Sequence, residues 1–207
     1  MRPLSLLGLD EPFASSCDFK FVNPKDFIQD SRVDALLAIR SQLGERAAFE
    51  GLIARWHEPL WRYLRRLSSS DDTARDHAQD TWLRVFRGIA RLREPAKLRS
   101  WLFGIARNVA MDQLRSQYSE GSREEMNPEE LPAADDVNLE EEIATLESGL
   151  ATLPIVERET LTLFYLRELS LQEIAQALEI PVGTVKSRLH RARGMLRREL
   201  NSKGDNP

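Results

Sequence analysis

The sequence predicts an all-α fold of two small helical domains joined by an acidic, flexible linker. Apolar residues recur at the spacing of one helix face over residues 49–67, and again over residues 171–178. Between these segments, residues 119–148 carry eleven acidic residues against one basic residue, and residues 121–139 contain few large apolar residues, which is typical of a linker rather than of a packed core. We therefore place an N-terminal extension at residues 1–40, a first domain at 41–118, the linker at 119–139 and a second domain at 140–203.

The N-terminal extension is weakly patterned and contains three prolines. Apolar residues near its end predict a short helix, and we interpret the remainder as a disordered or loosely docked segment rather than a partner-binding arm. The first helix of the first domain follows, and Pro59 within it is expected to kink the helix or to split it. Its apolar stripe consists of Phe49, Leu52, Ile53, Trp56, Leu60, Leu64 and Leu67.

Two further helices complete the first domain. A run of serines ends the first helix, and Asp71 or Asp72 is placed to cap the second. The inner face of the second helix includes either Val85 or Phe86. A basic loop then leads into a third helix over residues 98–115, whose Leu, Ile and Val side chains are spaced to pack inward.

The second domain ends in two short helices with a tight turn between them. Helices are expected over residues 140–153 and 156–166, and the serine and glutamate of a capping box, Ser170 and Glu173, start the next one. The last helix begins near Pro181 and carries six cations against one acid, so the pair has the layout of a helix-turn-helix that enters the DNA major groove. If the turn requires left-handed backbone at Glu179, that residue costs on the order of 1 kcal/mol.

Composition restricts the classes of function. The 207 residues have a net charge of −4, yet residues 87–115 hold seven bases against two acids, so both helical domains carry local positive charge suited to phosphate. Cys17 is the only cysteine, which excludes an internal disulfide and fits a reducing cytosol. Three scattered histidines predict no metal site, and neither a cofactor fingerprint nor a membrane-spanning apolar run is present.

Three sequence stretches in this order resemble a bacterial extracytoplasmic-function (ECF) sigma factor of the sigma-70 family. They are HAQDTWLRVF at residues 77–86, SWLFGIARNVAMDQLR at 100–115 and EIAQALEIPVGTVKSRLHRAR at 173–193. The resemblance implies a region 2 domain and a region 4 domain. It also implies a protein that is not an enzyme, needs no cofactor, and initiates transcription of a stress or envelope-signal regulon.

The resemblance assigns three groups of residues to contacts, and each is an expectation. Core RNA polymerase is expected to be bound by Asp76, Gln79, Asp80 and Arg84. The promoter minus-ten element is expected to be bound and melted by Arg93, Lys97, Arg107, Asn108, Met111, Asp112 and Arg115. The minus-thirty-five element is expected to contact Thr184, Lys186, Ser187, Arg188, His190, Arg191 and Arg193, of which Lys186, Ser187, His190 and Arg191 face base edges and the others face phosphates.

The implied partners are core RNA polymerase, promoter DNA and an anti-sigma factor. The protein is expected in the cytoplasm and is not expected to insert into the membrane itself. An anti-sigma factor in the inner membrane can hold it at the membrane surface. Two alternatives remain open at this point: a helix-turn-helix regulator that acts alone on an operator, and a sigma-like adaptor that binds a protein but no promoter. The hypothesis of a stand-alone regulator does not explain the SWLFGIARN segment. The hypothesis of an adaptor predicts binding to polymerase or to another regulator without transcription.

Overall fold

The computed structural model describes residues 24–119, 148–167 and 169–204, and within these ranges the all-α prediction is confirmed. Residues 1–23 with Cys17, and residues 120–147 with nearly all of the predicted linker, lie outside the described residues. The helices of the first domain are α1 (Pro24–Gln42), α2 (Arg46–Arg65), α3 (Asp71–Gly88) and α4 (Leu98–Ser119). Those of the second are α5 (Ile155–Leu161), α6 (Leu171–Leu178) and α7 (Val182–Gly204), and residues 148–151 before them are also helical.

Helix α1 is longer than the short helix predicted near residue 40, and it packs against α2. Asp34 fixes this contact, because its buried carboxylate accepts hydrogen bonds from Arg55 Nε at 2.7 Å and Trp56 Nε1 at 3.0 Å. Burial outweighs these partners and raises the pKa of Asp34 above its usual range. The end of the extension is therefore part of the packed first domain.

Helix α2 runs through Pro59 as one helix, so the alternative of a split helix is wrong. The missing N–H of the proline is tolerated because buried residues on both sides of it anchor the helix in the core. Trp56 and Tyr63 lie edge-on to the ring of Phe103 of α4, with ring centroids 6.2 Å and 5.3 Å apart. These aromatic contacts join α2 to α4.

The N-cap of α3 differs from the prediction. Ser70 caps the helix, because its side chain accepts a hydrogen bond from the backbone N–H of Thr73 at 3.2 Å. Asp71 and Asp72 lie instead in the first turn, where their charges interact favourably with the positive end of the helix dipole.

The helix-turn-helix forms as predicted. Ser170 and Glu173 make the reciprocal capping box at the start of α6, with hydrogen bonds of 3.2 Å and 2.8 Å. The turn that follows places Glu179 in left-handed backbone at φ 54° and ψ 43°, so the anticipated strain is present. Upstream, α5 widens into a π-helical turn at Thr162–Leu166 before the motif begins.

The two domains pack against each other, and we call this packing the closed arrangement. Helix α4 lies on α6, where Ser100 Oγ donates to Gln176 Oε1 at 3.0 Å. Gly104 lies at this contact, and a Cβ there would lie 3.4 Å from the carbonyl oxygen of Ala177, which is an ordinary van der Waals distance. Buried apolar side chains of both domains form one continuous core.

Candidate nucleic-acid interface

The second helix of the helix-turn-helix presents a polar face to solvent. Lys186, Ser187 and His190 are exposed on α7, whereas Val185 on the opposite side is completely buried in the core. Thr184 is half-buried, and its carbonyl oxygen accepts a hydrogen bond from Ser187 Oγ at 3.0 Å. The residues expected to face base edges therefore share an accessible surface, as an interface with the major groove requires.

Two arginines of α7 already have acidic neighbours on α5. Arg191 pairs with Glu157, whose carboxylate is 5% exposed while the arginine side chain is 63% exposed. The half-buried Arg188 exerts its charge on the buried carboxylate of Glu159. Helix α5 thus holds part of the cationic surface of α7 in place before any phosphate is bound.

Arg193 is positioned by aromatic rings. Its guanidinium lies 5.8 Å from the ring centroid of Phe164 and 5.3 Å from that of Tyr165, both in the π-helical turn. Cation–π attraction to these two rings limits the positions that Arg193 can take. The residue remains half-buried at the edge of the α7 surface.

The outer face of α3 carries the acidic residues predicted for polymerase contact. Asp76, Gln79 and Asp80 are exposed, and Arg84 pairs with Asp112 of α4 at 3.0 Å. The outer face of α3 therefore presents charged and amide side chains to solvent, and one ion pair joins it to α4.

Two apolar residues on α3 were not predicted as part of this surface. Leu83 is 44% exposed and Phe86 is 67% exposed, so Val85 rather than Phe86 lies on the inner face. Their spacing from Gln79, at i+4 and i+7, was the sequence signal that could have placed them beside the polar residues. Exposed apolar side chains next to charged ones are typical of a protein-binding surface.

The residues predicted for the minus-ten element are partly accessible. Arg93 and Asn108 are exposed, and Lys97 pairs with Glu94 at 2.7 Å. Met111 is half-buried against the core. Arg115 belongs to α4, but its side chain lies outside the described residues.

Arg107 is less accessible to DNA than Arg93 and Asn108 are. Its Nε lies 2.8 Å from Glu159 Oε1, and the side chains are 23% and 1% exposed. Tyr63 donates its hydroxyl to the same oxygen at 3.0 Å. Burial, and then the charge of Glu159, raise the pKa of Tyr63 well above its usual value, so the hydroxyl remains a donor.

The remaining features concern metals and membranes. Within residues 24–119, 148–167 and 169–204, no group of histidine, cysteine and carboxylate side chains is arranged to hold a metal ion. None of the helices in these same ranges has both the length and the apolar character needed to cross a membrane.

Comparison with known proteins decides the family. The sigma-70 region 2 model matches residues 52–120, and the sigma-70 region 4 model matches residues 143–196. The ECF RNA polymerase sigma factor SigW of Bacillus subtilis (strain 168) is 30% identical over 170 residues, which span 76% of this chain and 91% of that protein. The chain belongs to the ECF sigma factors of the sigma-70 family.

Solved structures of sigma factors have a similar fold. RpoE of Bartonella quintana, solved with the anti-sigma factor NepR, has a TM-score of 0.64 and 27% identity, covering 76% of this chain and 98% of that one. CnrH, solved with the cytosolic domain of CnrY, has the same TM-score and 26% identity, covering 84% of this chain and 99% of that one. In this ECF sigma factor, region 2 contains most of α2 together with α3 and α4, and region 4 contains α5, α6 and most of α7.

Proposed function

We propose that this protein is the promoter-specificity subunit of RNA polymerase. It binds the core enzyme, recognises the minus-ten and minus-thirty-five elements, and initiates transcription without catalysing a reaction of its own. The observation that carries this proposal is the presence, in one chain, of an exposed polar face on α7 within region 4 and a second polar face on α3 within region 2.

Recognition of the minus-thirty-five element is assigned to α7. The exposed Lys186, Ser187, His190 and Arg191 contact base edges, where a good cationic contact to guanine discriminates by roughly 1–3 kcal/mol. Thr184, Arg188 and Arg193 contact phosphates, which position the helix without reading sequence. The ion pair between Arg191 and Glu157 and the aromatic contacts of Arg193 support this role by restricting the side chains beforehand.

Melting of the minus-ten element is assigned to α4 and the basic loop before it. A base has to leave the stack, which costs a few kcal/mol, and protein contacts must compensate because no ATP is used. The exposed Asn108 offers an amide that can both donate to and accept from a base edge. Arg93, Lys97, Arg107 and Arg115 neutralise nearby phosphates, while Met111 and Asp112 border the surface.

Binding to core polymerase is assigned to the outer face of α3. Asp76, Gln79, Asp80 and Arg84 supply polar contacts, and Leu83 and Phe86 supply the apolar contact area that a stable protein interface needs. The face on α3 then binds core polymerase and the face on α7 binds promoter DNA. A mutation in one face should therefore weaken binding to one partner and leave binding to the other unchanged.

The closed arrangement opposes promoter binding. Arg107 cannot neutralise a phosphate while Glu159 holds it, so the domains must separate before the minus-ten element binds. We assign the stabilisation of the closed arrangement to an anti-sigma factor, since RpoE, a relative of similar structure, was solved with one. The protein then acts in the cytoplasm, where polymerase and promoter DNA are found.

The test is a footprint of promoter DNA with this protein, with core polymerase and with both. The proposal predicts protection only when both proteins are present. Protection by the free protein at similar concentration would identify a regulator that acts alone. Polymerase binding without any protection or transcription would identify an adaptor.

A further inference from the structure

Glu157 of α5 is a buried carboxylate whose hydrogen-bond partner lies on the proposed DNA-reading helix. Arg191 Nη2 donates to Glu157 Oε1, and the carboxylate is 5% exposed whereas the arginine side chain is 63% exposed. Both residues belong to region 4, where α5 packs directly against α7. The pair therefore does not depend on contact between region 4 and region 2.

The burial of Glu157 fixes one end of this ion pair. A carboxylate in the protein interior is costly unless it is paired, so Arg191 compensates for the burial of its partner. Glu157 cannot turn out to solvent without displacing α5, because residues 157–161 of that helix are all buried. The carboxylate is therefore a fixed acceptor, and the long arginine side chain is restrained before DNA is bound.

The guanidinium of Arg191 keeps donors for DNA after this contact. Each nitrogen of the planar guanidinium is a donor, and Glu157 accepts from only one of them, Nη2. Nη2 carries two hydrogens, so an edge with paired donors remains whichever hydrogen Glu157 accepts. That edge is either Nη1 with Nη2 or Nε with Nη2, and an edge of this kind matches O6 and N7 of guanine.

The charge of Glu157 disfavours the other use of Arg191, which is binding to phosphate. Phosphate contacts depend on electrostatic attraction and on the release of counterions, whereas a guanine contact depends on paired hydrogen bonds at a fixed geometry. A guanidinium paired with a carboxylate is nearly neutral as a unit. It therefore attracts phosphate weakly, while the geometry of its remaining donors is preserved.

We propose that Glu157 is a positioning residue that determines promoter specificity: it directs Arg191 to one guanine of the minus-thirty-five element and away from phosphates. The inference rests on the proposed function for the role of Arg191. Glu157 is buried and acts through Arg191, so it does not contact DNA itself. Its removal should therefore change which sequences are preferred more than how tightly promoter DNA is bound overall.

The experiment measures base preference at every position of the minus-thirty-five element. Holoenzyme made from core polymerase and the full chain is mixed with a promoter library in which that element is randomised, and the bound DNA is sequenced. The original protein should prefer guanine by at least about tenfold at one position, and Arg191→Ala should abolish this preference. Glu157→Ala should lower the same preference roughly threefold and leave the other positions unchanged, because the arginine must then be ordered on binding.

Salt dependence and a conservative variant separate positioning from a merely structural role. In Glu157→Ala the released Arg191 should reach a phosphate, so the logarithmic dependence of promoter affinity on salt should steepen by about 1. Glu157→Gln keeps an acceptor of the same shape and should recover most of the guanine preference. Glu50→Ala, which removes an exposed ion pair with Arg46 in α2, is the matched control and should change neither quantity.

Three outcomes would overturn the inference. One is an unchanged guanine preference in Glu157→Ala, and another is a Glu157→Gln protein that recovers none of the lost preference. The third is an equal loss of preference at every position of the element, which would assign Glu157 a structural role. Selection of no element at all by the original holoenzyme would instead refute the proposed function, so the two failures are distinguishable.

Discussion

Arg107 of region 2 and Glu159 of region 4 form an ion pair of 2.8 Å across the domain boundary, with the carboxylate only 1% exposed. The same arginine belongs to the surface proposed for the minus-ten element. One side chain therefore has two competing partners, a buried carboxylate in the closed arrangement and a phosphate in the promoter complex. The balance between them links the domain arrangement to DNA binding.

Replacing the buried carboxylate should open the protein. Glu159→Ala leaves Arg107 and Tyr63 without their shared acceptor, and loss of one partner of a buried pair costs about 3 kcal/mol. We expect a roughly hundredfold lower closed-to-open ratio, visible as a larger radius of gyration in small-angle X-ray scattering. Glu50→Ala, which removes an exposed pair with Arg46, is the control and should leave the radius unchanged.

Closure should depend on pH through the same residue. Burial raises the pKa of Glu159 above its ordinary value of 4.5 despite the nearby arginines, so the closed form binds a proton more tightly than the open form. Its contribution to closure is therefore complete below about pH 4.5 and is lost as the pH rises through the raised pKa. Scattering should show increasing closure as the pH is lowered through the raised pKa toward about 4.5, and a Glu159→Gln protein with the same slope would contradict this assignment.

In region 4, a mutation on α7 should weaken promoter binding without weakening polymerase binding. Arg191→Ala removes a proposed base contact on α7, so holoenzyme affinity for the promoter should fall roughly tenfold while affinity for core polymerase is unchanged. Fluorescence anisotropy with labelled promoter and with labelled protein measures the two affinities. Equal loss of both would refute the division of roles between α7 and α3.

In region 2, mutations on α3 should weaken polymerase binding without weakening promoter binding. Asp80→Ala and Phe86→Ala alter the exposed face of α3, and each should weaken binding to core polymerase by about 1–2 kcal/mol. Promoter affinity of the assembled holoenzyme, measured at saturating protein, should stay at its original value. Gln172→Ala on the exposed side of α6 is a suitable control for general effects of substitution.

The backbone of the turn in the helix-turn-helix is strained at Glu179, and a glycine there should relieve the strain. Because Glu179 has φ 54°, Glu179→Gly should raise the free energy of unfolding by about 0.5–1 kcal/mol. Gln172→Gly, in the first turn of α6, should lower it by up to about 1 kcal/mol because glycine is a poor helix former. Urea denaturation measures both, and destabilisation by the glycine at position 179 would argue against strain there.

Local sequence signals predicted the helices well. The capping box at Ser170 and the apolar stripe of α2 depend on residues a few positions apart, so they can be recognised without knowing the tertiary structure. The cap at Ser70 was missed because the serine run was interpreted only as the end of α2. Phe86 was ambiguous because it is large and apolar yet lies on an exposed face.

The closed arrangement could not be predicted from the sequence. Tyr63 and Glu159 are 96 positions apart, and the apolar spacing of α5 gives no sign that its polar residues are buried. Arg107 carries the same charge whether it faces DNA or a carboxylate, so composition alone cannot distinguish the two roles. Only the packing of region 4 on region 2 shows that one proposed DNA contact is occupied.

The most direct test of the central claim is transcription in vitro. Core RNA polymerase is incubated with fragmented genomic DNA of the source bacterium, with and without this protein, and the RNA 5′ ends are mapped. We predict new start sites, each preceded by two elements of shared sequence at a constant spacing. The absence of new start sites, from folded protein that still binds core polymerase, would contradict the assignment as an initiating sigma factor.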